Sequence, residues 1–393
     1  MPENVKTGLD LIERAWPKNL KSAKLGLLVH PASVNSKFLH ASDICKRSRK
    51  FVLRAFFGPQ HGIRGETQDN MIEWEGYKDR LTGLPVYSLY GKFRKPVPQM
   101  LKNIDALVID LQDVGARYYT FIWTMALAME ACLQEAKAVV VLDRPNPIGG
   151  RLIEGPVSKA DFKSFVGLHQ MPVRHGMTIG EIALYLREAY YPALDLHVIP
   201  LAGWRRGMWH DDTGLPWVLP SPNMPTPDTA LVYPGACLLE GTNLSEGRGT
   251  TRPFEIFGAP FIDPELLVRH LKELRLPGVI FRPLYFLPTF QKHAGILCGG
   301  AQIHVTAREK FKPFKTVVGI LKSVHSMYPK DLSWKNPPYE YEEKLLPIDI
   351  LAGTDRVRKD IEGGRDLRDM ELWWNEELRQ FDKSIRKKYL LYQ

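Results

Sequence analysis

Cysteine is scarce: four in 393 residues, Cys45, Cys132, Cys237 and Cys298, widely separated and in no C-x-x-C pair. That spacing speaks against both a disulfide framework and a zinc knuckle, whose ligands come in closely spaced pairs. No stretch approaches the roughly 18 uncharged apolar residues that a membrane-spanning helix needs, so no membrane insertion is expected. The opening MPENVKTGLDLIERAWP is charged and amphipathic where a secretory leader would be apolar. It reads as a cytoplasmic chain, and a secreted form trimmed of its leader would read the same way. Internal repeats, low-complexity tracts and nucleic-acid-binding motifs are also missing, and nothing in the pattern specifies an oligomer.

The net charge of +9 arises partly from Arg379, Lys383, Arg386, Lys387 and Lys388. Clustered at the end of the chain, they read as a solvated terminal helix, and no nucleic-acid partner is expected. A small acidic ligand fits the balance equally well. With 44% hydrophobic residues, the chain is longer than one core usually fills, which favours two domains. Nine Trp and 15 Tyr exceed a bare scaffold's needs. Most are expected in the core, and Trp209 and Trp217 either stack on a sugar ring or pack a domain interface.

Short apolar runs alternate with helical patterns from residue 24 to about 143, the signature of a parallel sheet covered by helices. Strands are predicted at 24–29, 51–57, 84–89, 105–110, 137–142 and 196–200. After Tyr118, the residues Phe121, Ile122, Met125, Met129, Cys132 and Leu133 fall on one helical face and are predicted core. Thr178-Ile-Gly-Glu181 has capping-box spacing and starts a second helix. Prolines crowd residues 214–235, a composition expected to exclude long regular elements. The predicted architecture is α/β: a Rossmann-like domain over 1–208 and a smaller α+β domain over 209–393, with helices at 263–273, 309–326 and 367–390 and strands near 277–284 and 301–306.

Ligands of an open parallel sheet bind beyond the carboxyl ends of its strands. The loops there are HPASVN (30–35), GPQHGIRGE (58–66), DLQDVGARYYT (110–120) and DRPNPIGG (143–150). The first has no glycine, so it lacks the dinucleotide fingerprint, and LYGKF (89–93) lacks the earlier glycine of a P-loop. There is no H-E-x-x-H helix and no G-x-S-x-G elbow, so neither a zinc protease nor a serine hydrolase is expected, and no cofactor or metal is. Carboxylate chemistry remains. Glycoside hydrolysis needs one carboxyl held protonated, facing either a second carboxylate or a substitute nucleophile. Glu66, in a glycine-flanked loop, fits the acid, unless it merely pairs with Arg64 or Arg117. Asp110, Asp113 and Asp143 are alternatives, although an aspartate ending a strand often caps the next helix.

These segments, with LPVYSLYGKFRKP, RHGMTIGE, GWRRGMW, DDTGLPWVLPSPNMP, YPGACLLEGTNLSEGRGTTRPFE and GAPFID, resemble in order those of the peptidoglycan exo-β-N-acetylmuramidases, from about residue 7 to the C-terminus. The resemblance implies removal of terminal β-1,4-linked N-acetylmuramic acid from the non-reducing ends of peptidoglycan fragments, in a cleft between the two domains. It implies Glu66 as general acid and Tyr118 near the same pocket. Asp113 or Asp143 is expected as nucleophile or base, unless the substrate's own acetamido oxygen or Tyr118 takes that part. The substrate's lactyl carboxylate calls for an arginine fork, from Arg64, Arg117, Arg144 or Arg174. His61, Asn146, His175, Asn223, Asn243, Arg248 and Thr250 complete the expected binding set. A non-catalytic sugar-binding module and a nucleotide-sugar enzyme are the competing readings.

Overall fold

A computed structural model describes residues 5–69 and 71–393; the charged start read at 1–4 lies outside them. Among the described residues nine strands precede residue 200: β1 (Lys24–Val29), β2 (Val52–Gly58), β3 (Tyr77–Lys78), β4 (Pro85–Ser88), β5 (Ala106–Asp110), β6 (Ala138–Leu142), β7 (Glu154–Val157), β8 (Pro172–Arg174) and β9 (Leu196–Ile199). Seven form one sheet in the order β3-β4-β2-β1-β5-β6-β9, parallel except where β3 pairs antiparallel with β4. Leaving out that short edge, the order is the Rossmann one, which reverses direction between β1 and β5. Leu27 of β1 lies between Phe56 of β2 and Val108 of β5. Helices cover both faces, so the central strands β5 and β6 are buried at every position and read as unbroken apolar runs.

The helix Phe121–Gln134 buries the predicted stripe apart from half-buried Leu133, and it also buries Trp123, Thr124, Ala126 and Ala128. It is apolar all round because the same core continues from the sheet into the C-terminal half, through Leu239, Phe314 and Trp374. Thr178 and Glu181 form the expected capping box, with reciprocal bonds of 3.3 and 3.0 Å.

The C-terminal half holds β10 (Ile256–Ala259), β11 (Val279–Phe286) and β12 (Cys298–Val305), antiparallel in the order β10-β12-β11. Helix Pro264–Glu273 packs against β11 and β12, Pro313–Met327 packs against neighbouring helices, and Leu367–Ser384 packs chiefly against β7. Two expectations are corrected. The proline-rich stretch is irregular only to residue 226. Pro227 then opens a ten-residue helix at a position that needs no N–H donor, capped by the Thr226 hydroxyl. The basic C-terminal run is not wholly solvated, since Arg386 is buried with its guanidinium on the carbonyls of Gly150 and Gly176.

Candidate active site

Two crevices open at the carboxyl edge of the large sheet. The first lies at the topological switch between β1 and β5, where this class of sheet usually holds its ligand. Here protein occupies much of it, leaving a pocket of about 340 Å³, mouth included, against Gln112 and Arg144. The His30 ring packs its Nδ1 against the Pro220 carbonyl at 3.1 Å and accepts from the Gln112 N–H at 2.9 Å. Burial, assisted by the nearby Arg144 charge, drives its pKa down to about 3, so it stays neutral. Arg144 forks onto Asp110 at 2.6 and 2.9 Å and also reaches the Val34 carbonyl. Leu215, Pro216, Trp217 and Val218 close the outside of this crevice.

The second crevice is a cavity of about 440 Å³, mouth included, between the loops after β2 and β5 and the C-terminal half. The sheet side supplies Gln60, His61, Tyr118, Tyr119 and Thr120, the proline-rich loop supplies Ser221 and Asn223, and the C-terminal half supplies Glu240, Arg248, Phe254, Tyr339 and Glu340. Tyr233 fixes the aromatic wall, meeting Tyr118, Tyr119 and Phe254 edge-on at 4.8–5.8 Å between ring centres. Hydrogen bonds tie the polar floor together. Thr120 donates to Gln60 (2.7 Å), and both Gln60 Nε2 (3.2 Å) and the Tyr90 hydroxyl (2.8 Å) donate to Glu340. Tyr339 and Arg248 donate to Glu240 at 2.6 and 2.7 Å, and Arg248 also faces Glu246 at 3.1 Å.

Burial shapes this floor electrostatically. The Glu340 carboxyl is raised to about 7, chiefly by burial and further by the neighbouring Glu240 charge, against the pull of its Tyr90 and Gln60 donors and of Arg248. A carboxyl at that value carries its proton over much of the neutral range. His61 is lowered to about 4 by burial, with Arg248 acting in the same sense and its bond to the Thr67 carbonyl opposing. It enters the cavity as a neutral ring.

Of the residues expected at the site, His61, Tyr118, Asn223 and Arg248 line the cavity. The Tyr118 hydroxyl is spent on the Pro234 carbonyl, with the Tyr233 carbonyl 3.4 Å away, and burial raises its pKa well above the usual tyrosine value. It is therefore a wall and not an attacking phenolate. Asn223 donates to the Gln68 carbonyl at 2.7 Å, pinning the loop that carries Glu66. Glu66 is exposed on that loop. Its carboxylate and the Trp74 ring approach the same glycine, Gly62, each 3.7 Å from where a Cβ would stand. Arg64, on the same loop, is exposed and lies 5.1 Å over the Tyr77 ring.

The structure puts the remaining expected residues elsewhere. Asp143 caps the helix that starts at Ile179, accepting from Thr178 (2.9 Å), Gly180 (2.8 Å), Arg144 N (2.9 Å) and the Tyr392 hydroxyl (2.5 Å). Asp113 accepts from the Gly115 N–H at 2.7 Å and faces buried His175 at 3.1 Å. Arg117 is a buried bolt on the carbonyls of Pro156, Met171 and Leu351. Asn146 holds the Met177 carbonyl and the Ile148 N–H, and Arg174 holds the Ile148 carbonyl beneath Trp209. Asn243 clamps Asp331 and Ser333, and Thr250 closes its own turn on Gly247. Trp209 and Trp217 pack outside the cavity, the latter edge-on to His210 at 4.9 Å. These side chains spend polar atoms on frame backbone or a frame partner, while Asp113 Oδ1, Arg117 Nε and Arg174 Nε are buried without a hydrogen-bond partner.

The cavity residues not singled out from sequence include Gln60, Tyr119, Thr120, Ser221, Glu240, Phe254, Tyr339 and Glu340, with Val166, Met224 and Tyr233 as apolar or aromatic lining. Gln60, Tyr119, Thr120 and Glu240 lie inside segments already quoted, whereas Tyr339 and Glu340 sit in an unremarkable acidic stretch, PPYEYEEK. Among the described residues, no helix is long and apolar enough to cross a membrane and no cluster of His, Cys, Asp and Glu could hold a metal.

The chain matches the family model described as Exo-beta-N-acetylmuramidase NamZ, N-terminal over residues 25–228 and C-terminal over 231–392. It is 47% identical over 388 residues to the peptidoglycan beta-N-acetylmuramidase NamZ of Bacillus subtilis (strain 168), covering 99% of this chain and 91% of that one. Among solved structures it resembles two DUF1343 family proteins from Bacteroides fragilis NCTC 9343. One superposes with a TM-score of 0.90 at 36% identity, covering 99% of both chains. The other gives 0.77 at 29%, covering 100% of this chain and 99% of that one.

Proposed function

The chain belongs to the exo-β-N-acetylmuramidase NamZ family and is a glycoside hydrolase of peptidoglycan; from that premise we propose how its cavity removes a terminal N-acetylmuramic acid. The observation that carries the function is the 47% identity with the Bacillus subtilis peptidoglycan beta-N-acetylmuramidase over almost the whole chain.

The terminal muramic acid occupies the cavity between the two halves, with its acetamido and lactyl groups among Tyr119, Asn223, Arg248 and the Glu240–Glu340 floor. Its glycosidic oxygen then points out toward the loop of residues 61–69, where Glu66 donates the proton as the C1–O bond breaks. Asp113 and Asp143 are committed to His175, Gly115 and a helix N-terminus, so we assign neither of them the nucleophile. The acetamido oxygen of the substrate attacks C1 instead, and water opens the resulting ring with retention. A pocket that ends in protein beyond one sugar makes the action exo.

Hydrolysis of para-nitrophenyl β-N-acetylmuramide, with the matching N-acetylglucosaminide as control, tests this reading. The native chain should release the chromophore from the muramide only, and Glu66→Gln should lower the rate by about 10²–10⁴-fold. A folded chain that binds the sugar and turns over neither compound would instead be a muropeptide-binding module.

A further inference from the structure

A second concavity starts where the cavity wall ends. Trp74 is its hinge. Its indole N–H is anchored on the Pro59 carbonyl at 3.1 Å, and its ring lies against Gly58 and Gly62. Its backbone N–H donates to the Tyr90 carbonyl at 3.2 Å. Tyr90 in turn sends its hydroxyl to Glu340 on the cavity floor. Through Tyr90 and Pro59, Trp74 joins the cavity's neighbourhood to a groove of about 950 Å³, open mouth included, that it lines with Tyr87, Phe93 and Met100. Glu73, Glu75, Ser88 and Lys92 give the same groove polar edges.

This groove is built to stay open. Tyr87 is fixed by Phe57 of the core at 5.3 Å between ring centres, and Phe93 keeps 36% of its surface exposed. Lys92 lies over the Phe93 ring at 5.4 Å. Aromatic faces with hydrogen-bonding groups at the edge suit the flat apolar side of a pyranose. The two carboxylates and one ammonium at the rim favour a neutral, hydroxyl- and amide-bearing sugar over a polyanion.

We propose that the groove of Trp74, Tyr87 and Phe93 is the leaving-group subsite, binding the neutral N-acetylated sugar that follows the terminal muramic acid in the glycan strand. The inference rests on the muramidase reading and extends it. With one sugar in the cavity and Glu66 packed against the same glycine as Trp74, the bond being cut lies at the junction of the two concavities. The leaving sugar then has the indole as its nearest surface. The outward run of the strand past Tyr87 and Phe93 lets the enzyme use chain length for affinity while the cavity admits the single terminal muramic acid.

The test separates the two sites by binding. With the cavity filled by saturating N-acetylmuramic acid, titration calorimetry measures the affinity of N,N′-diacetylchitobiose, a stand-in for the leaving strand, for the native chain, Phe93→Ala and Tyr87→Leu. Phe93→Ala should weaken the disaccharide roughly five-fold, Tyr87→Leu should weaken it comparably, and both should leave the affinity for N-acetylmuramic acid unchanged. Equal disaccharide affinity in all three proteins, with muramic acid still bound, would overturn the subsite and leave the muramidase reading standing. Disaccharide that fails to bind the native chain in the presence of bound muramic acid would do the same. A chain that neither binds muramic acid nor hydrolyses the aryl muramide would remove both.

Discussion

The two crevices on the carboxyl edge of the sheet are made from the same kinds of residue and differ in how their polar groups are spent. At the switch point between β1 and β5, His30, Asp110, Gln112 and Arg144 satisfy one another and the segment around Pro220 seals them in. One step along the edge, the C-terminal half brings Glu240, Arg248, Tyr339 and Glu340 down onto Gln60, His61 and Tyr119, and a cavity remains. A polar side chain at a strand end is thus poor evidence of catalysis by itself. Whether it faces ligand or frame depends on what packs above it, and here the second half of the chain decides that.

The largest effect should come from breaking the frame that carries both crevices. Arg117 carries a charge into the interior with no carboxylate beside it, and burial lowers its pKa to about 10. It is held there by three carbonyls, one of them Leu351 in the C-terminal half. Arg117→Met removes three charge-assisted bonds and strands their acceptors, and regains the desolvation cost of the cation. The losses exceed the gain, and we expect a net destabilisation of about 3 kcal/mol. Denaturant unfolding checks it; a midpoint unchanged from the native chain would mean that Arg117 is not a bolt.

A smaller loss is expected at Asp143, which carries four hydrogen bonds and no cavity contact. Asp143→Ala leaves the Thr178–Glu181 capping box in place but removes the acceptor of the Gly180 N–H and of the Thr178 hydroxyl at the start of the helix from Ile179, at a cost of about 2 kcal/mol. Turnover per folded molecule should stay at the native level. If the variant is fully stable and lacks turnover, Asp143 belongs to the chemistry and the frame assignment is wrong.

This contrast also explains what the sequence could disclose. Elements whose pattern is carried by their own residues were legible: β1, β2, β5 and β6 as apolar runs, the capping box at Thr178, and the helix after Tyr118. The loops that flank the cavity were legible as loops, and the ordered motifs identified the family. What could not be read was commitment. Nothing local distinguishes Arg117, bolted to Leu351 more than 200 residues away, from Arg64, exposed on its loop. Glu340 was invisible for the same reason. Its character comes from Tyr90, Gln60 and Glu240, all remote in the chain, and the YEYEEK stretch reads as solvated charge. The helix at Pro227 was missed because proline was weighed as a breaker without regard to its position in the first turn.

The smallest effect, and the sharpest for the cavity itself, is in pH dependence. Glu340 faces the Tyr90 and Tyr341 hydroxyls, the Glu240 carboxylate and the Arg248 guanidinium, with Gln60 as a neutral donor. Its pKa in the folded chain, about 7, lies above the ordinary 4.5. The folded state thus binds the proton more tightly than the unfolded one. The stability this provides is full below the ordinary value and is lost as pH rises through 7. In the substrate-binding floor the same ionisation puts a second negative charge beside Glu240, where the incoming substrate already carries a lactyl carboxylate. Native kcat/KM should therefore decline on the alkaline side with an apparent pKa near 7. Glu340→Gln keeps the shape of the protonated acid and cannot ionise. It should hold near-native kcat/KM at pH 6 and exceed the native enzyme several-fold at pH 8, with KM rather than kcat carrying the difference. An alkaline limb that persists unchanged in Glu340→Gln would assign it to another group and return Glu340 to the frame, alongside Asp113 and Asp143.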